Sequence, residues 1–272
     1  MILFPNCKIN LGLHILRKRE DGFHDLETIF YPLPLKDGLE IIQQPHPITD
    51  IEFTSSGLTV DGSLSDNICV KAYQLLKKDF PDLPAIKMHL HKTIPMGAGL
   101  GGGSADGAFT LVLLNRKFGL GLTNAALLSY ALQLGSDCPF FVQNTPCYAT
   151  GRGENLENLT LDLSAYKFVV VNPKIHINTG WAFAQLHPFA ERPSLKEVIQ
   201  KPVEEWKTWL TNDFEEPIAH HHPELADCKK KLYEQGAIYA SMTGSGSTVY
   251  GIFQKDRTPS LSFPPHYFVK II

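Results

Sequence analysis

Between Cys7 and Ile15 apolar and polar residues alternate strictly: Cys7, Ile9, Leu11, Leu13 and Ile15 fall on one face, Lys8, Asn10, Gly12 and His14 on the other. A period of two marks a strand with one apolar and one polar face. After a charged turn, Arg17 to Gly22, strands are predicted over residues 26–33, 39–43 and 51–54. Ser65-Asp66-Asn67 caps a helix predicted to end at Phe80. Residues 86–94 alternate again, Ile86, Met88 and Leu90 against Lys87, His89 and His91. Next comes Pro95-Met96-Gly97-Ala98-Gly99-Leu100-Gly101-Gly102-Gly103-Ser104-Ala105, with five glycines in the seven residues from Gly97 to Gly103. An apolar helical set follows: Ala105, Ala108, Phe109, Leu111, Val112 and Leu114.

Further on, Thr123 caps a helix running to Leu134 and closed by Gly135. A strand over residues 147–150 ends in Gly151-Arg152-Gly153, which divides the chain into domains 1–152 and 153–272. The second half holds a buried strand (168–171), helical stretches (195–200, 204–210 and 223–235) and strand runs at 238–242 and 248–253. A last strand is predicted over 266–272, after a loop from 259 to 265.

With 272 residues, 43% hydrophobic and 19% charged, the chain is expected to be a soluble globular protein with an ample core. A formal net charge of −3 gives no general electrostatic case for nucleic acid. The start, MILFPNCKINLGLHIL, lacks a basic leader and a small-residue cleavage site, and no apolar run approaches a membrane span. Cys7, Cys69, Cys138, Cys147 and Cys228 are odd in number and scattered, which fits a reducing cytoplasm rather than a disulfide framework or a zinc site. His220-His221-His222 reads as a solvated helix edge, since consecutive side chains point different ways.

The glycine run carries the chemistry. Strand, glycine-rich loop, helix is the order that lets backbone approach a ligand without a Cβ clash. The N–H groups and dipole at the helix start then form an anion site, and the expected anion is a polyphosphate. Gly102 is expected to be where backbone comes close to phosphate. Gly97-x-Gly99-x-x-Gly102 formally fits the dinucleotide fingerprint, but no acidic residue stands about 20 positions later, where Phe118-Gly119-Leu120-Gly121-Leu122 lies. Gly102-Gly103-Ser104 lacks the lysine of a Walker loop. Two polar residues remain ambiguous from the residues alone: Lys8 as a solvent-facing strand lysine or a site residue, and Asp137 as a helix N-cap or a functional carboxylate.

The loop Pro95 to Ala105 closely resembles the phosphate loop of the GHMP kinases, the galacto-, homoserine, mevalonate and phosphomevalonate kinase superfamily. Pro-x-x-Lys-Ile-Asn-Leu around Lys8 and Ser241-Met242-Thr243-Gly244-Ser245-Gly246 resemble its first and third motifs. Arg19-Glu20-Asp21-Gly22-Phe23-His24 and Leu134-Gly135-Ser136-Asp137 resemble the branch that phosphorylates 4-diphosphocytidyl-2-C-methylerythritol, with Phe23 in place of Tyr and Ser136 in place of Ala.

The resemblance implies an α+β, two-domain GHMP kinase fold. It combines a ribosomal-S5-like N-terminal domain with a ferredoxin-like C-terminal domain, and the site lies in the cleft between them. It implies ATP and Mg2+ as cofactors, a small-molecule partner rather than nucleic acid or membrane, a cytoplasmic location, and a monomer or weak homodimer. Lys8 and Asp137 would be catalytic, and residues 95–105 with Asn67 and Lys92 would bind ATP. Asn10, Phe23, His24, Thr179 and Phe183 would bind substrate, the aromatic ring and the histidine holding the cytosine. Thr243, Gly244 and Gly246 would lie near the phosphates. No metal ligand is assigned. Two rivals stay open: a superfamily kinase for another alcohol, such as homoserine or mevalonate, and a non-catalytic binding protein of the same fold.

Overall fold

The computed structural model describes residues 1–60, 62–186, 192–257 and 259–272. Its strands are β1 Ile2–Leu3, β2 Asn6–Lys18, β3 His24–Lys36, β4 Gly38–Gln43, β5 Ile51–Gly57, β6 Ile86–Lys92, β7 Cys147–Gly151, β8 Asn155–Asn158, β9 Tyr166–Asn172, β10 Tyr239–Met242, β11 Val249–Gln254 and β12 Phe268–Ile271. The helices are α1 Ile68–Asp79, α2 Gly102–Phe118, α3 Asn124–Leu134, α4 Cys138–Gln143, α5 Thr179–Ala184, α6 Leu195–Val198, α7 Trp206–Trp209, α8 Glu215–His221 and α9 Pro223–Glu234. Two compact units share the chain: residues 1–7, 34–96 and 101–145 form one, residues 8–33, 97–100 and 146–272 the other.

The first unit is built on a sheet of order β1-β4-β6-β5, in which β5 and β6 run parallel and the other pairs antiparallel. Alternation decides which side of β6 faces inward: Ile86, Met88 and Leu90 are buried, whereas Lys87 and His91 are exposed. Helix α1 starts at Asn67, whose side-chain oxygen accepts the N–H of Cys69, so one of the orphan donors of the first turn is satisfied. It packs against α2, and Val70, Tyr73, Leu76, Leu111 and Leu114 close the core there. Thr123 caps α3 through its hydroxyl, which accepts the N–H of Ala126.

In the second unit one antiparallel sheet has the order β10-β11-β9-β12. Numbered within that sheet the order is second, third, first, fourth, the arrangement of a ferredoxin-like sheet. Helix α9 packs on β10 and β11, while β11 and β12 are joined without a helix among the described residues. Its core joins Val169, Val171, Leu225, Leu232, Ala240, Val249 and Phe253 to Leu13 and Ile15 of β2.

The other sheet has the order β2-β3-β7-β8. Strand β2 departs from the expected half-exposed ribbon: its polar face is buried as fully as its apolar one, with Lys8, Asn10 and His14 each at 3% exposure or less. Residues 211–213 run beside it, with Leu13 N–H donating to the Thr211 carbonyl (2.9 Å) and Asp213 N–H to the Leu13 carbonyl (2.9 Å). Buried polar side chains must be paired, and these are.

Helix α8 has no counterpart in the periodicity reading. His220 and His221 lie in its last turn and His222 caps it, and the His221 and His222 rings meet Trp181 edge-on at 5.1 and 6.2 Å. All five cysteines are free thiols and buried. No helix among the described residues is long and apolar enough to cross a membrane.

Candidate active site

In the second unit, polar groups of β2 and of the third glycine motif converge on the phosphate loop. Lys8 Nζ donates to Asn10 Oδ1 (2.7 Å) and to the Gly99 carbonyl (3.2 Å). Asn10 Nδ2 donates to Thr28 Oγ1 (2.8 Å), which in turn donates to the Gly12 carbonyl (2.6 Å), so the amide cannot turn over. The Thr243 hydroxyl accepts Asn10 N–H (3.0 Å) and stands 3.1 Å from Asn10 Oδ1 and 3.0 Å from the Gly99 carbonyl. Thr248 N–H donates to the Ala98 carbonyl (3.2 Å). A lysine on a strand face is ordinarily solvated. Here its ammonium is fixed between the strand and the loop.

The glycines explain the close approach. Gly99 has φ +77°, and a Cβ on it would stand 2.1 Å from the Thr243 carbonyl oxygen. Gly244 lies against it from the other side, its notional Cβ 3.3 Å from Gly99 Cα. His176, which the motifs did not flag, lies beside Gly97 at 3.6 Å from a notional Cβ there. Thr179 opens α5, and its hydroxyl is 3.2 Å from that of Ser245. Gly246 is packed instead, since a Cβ there would meet Met242 Sδ at 2.8 Å and Ile177 at 2.9 Å.

Two of the substrate candidates, His24 and Phe183, come together in this unit. The His24 ring stacks on Phe183, centroids 4.6 Å apart and planes 16° from parallel, and Phe183 meets Phe214 edge-on at 5.0 Å. Burial and the charge of Lys18 push the His24 pKa down, so its ring is neutral at pH 7. Phe23 is 53% exposed, and the Arg152 guanidinium lies over its ring at 4.8 Å.

In the first unit the α2 N-terminus leaves backbone N–H groups that can receive an anion. Gly101 is its N-cap, in the left-handed region at φ +68° and with no side-chain capping bond. The first helical bond runs from Ala105 N–H to the Gly101 carbonyl (2.9 Å), so the N–H groups of Gly102, Gly103 and Ser104 precede the ladder. A Cβ on Gly103 would meet nothing within 4 Å. Gly102 differs from expectation: its notional Cβ would meet Ile94 at 2.8 Å and Lys92 Nζ at 3.1 Å, so this glycine is there for packing.

Asp137 precedes α4 at φ −82° and ψ −15° without a side-chain capping bond, which removes the helix-cap explanation for it. Its neighbour Cys138 shares a hydrogen bond with Ser104, which ties α4 to the first turn of α2; burial pushes that thiol up to about 12. Pro95 is half-buried, and Met96 stands exposed at 45%.

Lys92 also differs from expectation. Rather than facing a nucleotide, its side chain is fully buried and ion-paired with Asp37 and with Asp106 (2.7 Å).

These pieces match known proteins over almost the whole chain. Residues 67–145 match the family described as GHMP kinases N terminal domain, and residues 194–260 match GHMP kinases C terminal. The 4-diphosphocytidyl-2-C-methyl-D-erythritol kinase of Bacteroides thetaiotaomicron is 48% identical over 95% of this chain and 94% of its own length.

The chain belongs to the 4-diphosphocytidyl-2-C-methyl-D-erythritol kinase family.

A second member of that family, from Azobacteroides pseudotrichonymphae, is 49% identical over 99% of this chain and its own full length. The crystal structure of a 4-(cytidine 5'-diphospho)-2C-methyl-D-erythritol kinase superposes with a TM-score of 0.80 at 28% identity, covering 93% of this chain and 90% of that one. The GHMP kinase fold and an ATP-dependent kinase activity follow from membership.

Proposed function

We propose that this kinase transfers the γ-phosphoryl group of ATP to the 2-hydroxyl of 4-diphosphocytidyl-2-C-methyl-D-erythritol, a step of the non-mevalonate route to isoprenoid precursors. The observation that carries the residue assignment is the junction of Lys8, Asn10, Gly99 and Thr243, where the polar face of β2 is bonded to the phosphate loop. The residue range 1–152 is assigned to ATP binding and 153–272 to the C-terminal module. The two family matches, 67–145 and 194–260, fall on either side of that division.

Phosphoryl transfer needs in-line positioning, charge neutralisation and an oriented nucleophile. The N–H groups of Gly102, Gly103 and Ser104 and the dipole of the 17-residue helix α2 receive the ATP phosphates. Asp137 accepts the proton of the attacking hydroxyl as its oxygen bonds to phosphorus and ADP leaves. Lys8 favours the developing alkoxide, and Asn10 orients the acceptor. His24, Phe183 and Phe23 hold the cytosine, and Thr179 lines the same pocket. Asn67 is assigned to the adenine side.

Among the described residues no group of three or more His, Cys, Asp or Glu side chains gathers to hold a metal alone. Mg2+ commonly uses one or two carboxylates plus substrate phosphates, and no residue of this chain is assigned as its ligand. The ion would supply charge neutralisation to the bound triphosphate.

The test is ATP consumption with the cytidyl substrate, mevalonate, homoserine and free methylerythritol phosphate in parallel. Turnover with the cytidyl compound alone is expected. Equal turnover of mevalonate or homoserine would overturn the substrate assignment, and no turnover with any alcohol would favour the binding-protein reading.

A further inference from the structure

A buried ion cluster underlies the phosphate loop. Lys92, the last residue of β6, pairs with Asp37 and with Asp106, and all three residues are at most 2% exposed. Asp37 Oδ1 also accepts the N–H groups of Thr93 (2.5 Å) and Ile94 (2.9 Å), which lead into the loop. Asp106 lies in α2, directly after the loop. One carboxylate–ammonium–carboxylate chain therefore grips both the entry of the loop and its exit. Lys92 Nζ sits under Gly102, 3.1 Å from where a Cβ would be, so the cluster's charge lies against the turn that carries the anion-binding N–H groups.

A purely structural ion pair would need one acid. Two carboxylates share one ammonium here, and Asp106 Oδ1 is buried with no hydrogen-bond partner among the described residues. An unpaired buried carboxylate oxygen is costly and can be replaced by an apolar core at little loss of stability. Packing alone does not account for such a cluster.

We propose, on the reading of this chain as an ATP-dependent kinase, that Asp37, Lys92 and Asp106 are one positioning cluster that fixes both ends of the phosphate loop and sets the charge beneath its anion site.

The charge can change. Burial, reinforced by Asp37 and opposed by Lys92, pushes the Asp106 carboxyl up to about 7. The groups facing it are Lys92 from β6, Asp37 from the turn before β4, and the Cys69 thiol of α1, itself pushed up by burial and by Asp106. With Asp106 protonated the cluster is neutral, and with Asp106 ionised it carries one net negative charge against the phosphates. Phosphate binding therefore favours the protonated form, and by reciprocity ATP binds more weakly as pH rises through the Asp106 titration. A one-unit rise of the Asp106 pKa on ATP binding corresponds to about tenfold in ATP affinity.

The experiment measures ATP dissociation constants and steady-state kinetics for the whole protein and for Asp106→Asn from pH 6 to 8.5. Titration of ATP itself affects both proteins alike and cancels in their ratio. The wild type is expected to lose about tenfold more affinity for ATP across this range than the variant. A ratio independent of pH overturns the charge role.

The double variant Asp37→Asn/Lys92→Met removes the ion pair while keeping an acceptor for Thr93 and Ile94. A severalfold rise in KM for ATP, with KM for the alcohol unchanged, is expected of positioning. A folded double variant with unaltered KM for ATP overturns the clamp. Should that variant fail to fold, the Asp106→Asn ratio decides alone. Wild-type turnover in the same assay reports on the kinase reading itself, so the two failures are separable.

Discussion

Gly99 and Thr243, 144 residues apart in the chain, are locked together: the Thr243 hydroxyl donates to the Gly99 carbonyl (3.0 Å), and a Cβ on Gly99 would stand 2.1 Å from the Thr243 carbonyl oxygen. Strand β2 is bonded to both through Lys8 and Asn10, so the phosphate loop, the third motif and the N-terminal strand form one junction. Gly99→Ala would drive a Cβ into a carbonyl oxygen and demand a left-handed backbone, which alone costs a non-glycine residue about 1–2 kcal/mol. The expected outcome is a lowered thermal midpoint together with lost turnover. A variant of unchanged midpoint and activity would show that the loop can leave Thr243 freely.

Gly103 offers the opposite case. Its notional Cβ meets nothing within 4 Å, whereas that of Gly102 meets Ile94 and Lys92. Gly103→Ala should keep the thermal midpoint within about 1 °C, on the scale where 1 kcal/mol moves a domain of this size by roughly 2–4 °C. Its KM for ATP should rise. Gly102→Val should lower the midpoint instead, and if it raises only KM, the packing account of Gly102 fails.

Asp137→Asn tests the base. Asparagine keeps the size and shape of the carboxyl, so the variant is expected to fold as the parent does, with its thermal midpoint as the check. Turnover should fall about 100- to 10,000-fold, with ATP binding retained. Lys8→Met should cost a comparable factor, and the double variant little more, because residues acting as one unit are non-additive. Independent, multiplying losses would separate their roles.

Much of this arrangement was legible in sequence because it is local. The alternation from Cys7 to Ile15, the Asn67 and Thr123 caps and the glycine run each state a backbone preference within a few residues. What sequence could not give is partnership at a distance. Nothing local told Lys92 that Asp37, 55 residues earlier, would take its ammonium, so a strand-end lysine beside a phosphate loop read as a nucleotide contact. The polar face of β2 read as open because its partners are distant in the chain: the Thr211 hydroxyl bonds His14, 197 residues away, and the Leu195 and Leu210 side chains lie over Gly12. Helix α8 escaped because His220 to His222 disguise its apolar side, of which only Ile218 is buried.

Glu27 of β3, which meets His14 on the polar face of β2, is a pH-sensitive element of stability. Glu27 is buried, which alone would raise its pKa. Hydrogen bonds from His14 (3.0 Å), Tyr148 (2.6 Å), Ser194 (2.7 Å) and the Leu195 N–H (3.1 Å) prevail and hold it at about 2, below its ordinary 4.5. A depressed carboxyl stabilises the fold above the unfolded-state value and loses that contribution as pH falls from about 4.5 through about 2. The amount at neutral pH is roughly 3 kcal/mol. Denaturant unfolding of Glu27→Gln should show lower stability at pH 7 and a shallower loss below pH 4.5 than the wild type. Parallel curves would assign the acid sensitivity to other carboxyls.

The last prediction concerns cytosine recognition by Phe23, His24 and Phe183. The His24–Phe183 stack presents a flat apolar surface with a polar ring edge, and a base needs both: stacking, worth about 1–3 kcal/mol, and hydrogen bonds along its edge. Because burial and Lys18 depress the His24 pKa, the ring is neutral at pH 7 and keeps one acceptor nitrogen. As pH falls below 6.5 through that depressed pKa, both nitrogens become donors and the acceptor is lost. KM for the cytidyl substrate should therefore be flat above pH 6.5 and rise below it, while KM for ATP does not follow. Phe183→Ala should raise the substrate KM at every pH. His24→Phe, which keeps a stacking ring, should raise it at neutral pH and abolish the acid-side increase. Phe23→Ala should weaken the cytidyl substrate and spare ATP, since its exposed ring is free of Arg152 on one face only. A His24→Phe enzyme with the wild-type pH profile would remove the histidine from base recognition.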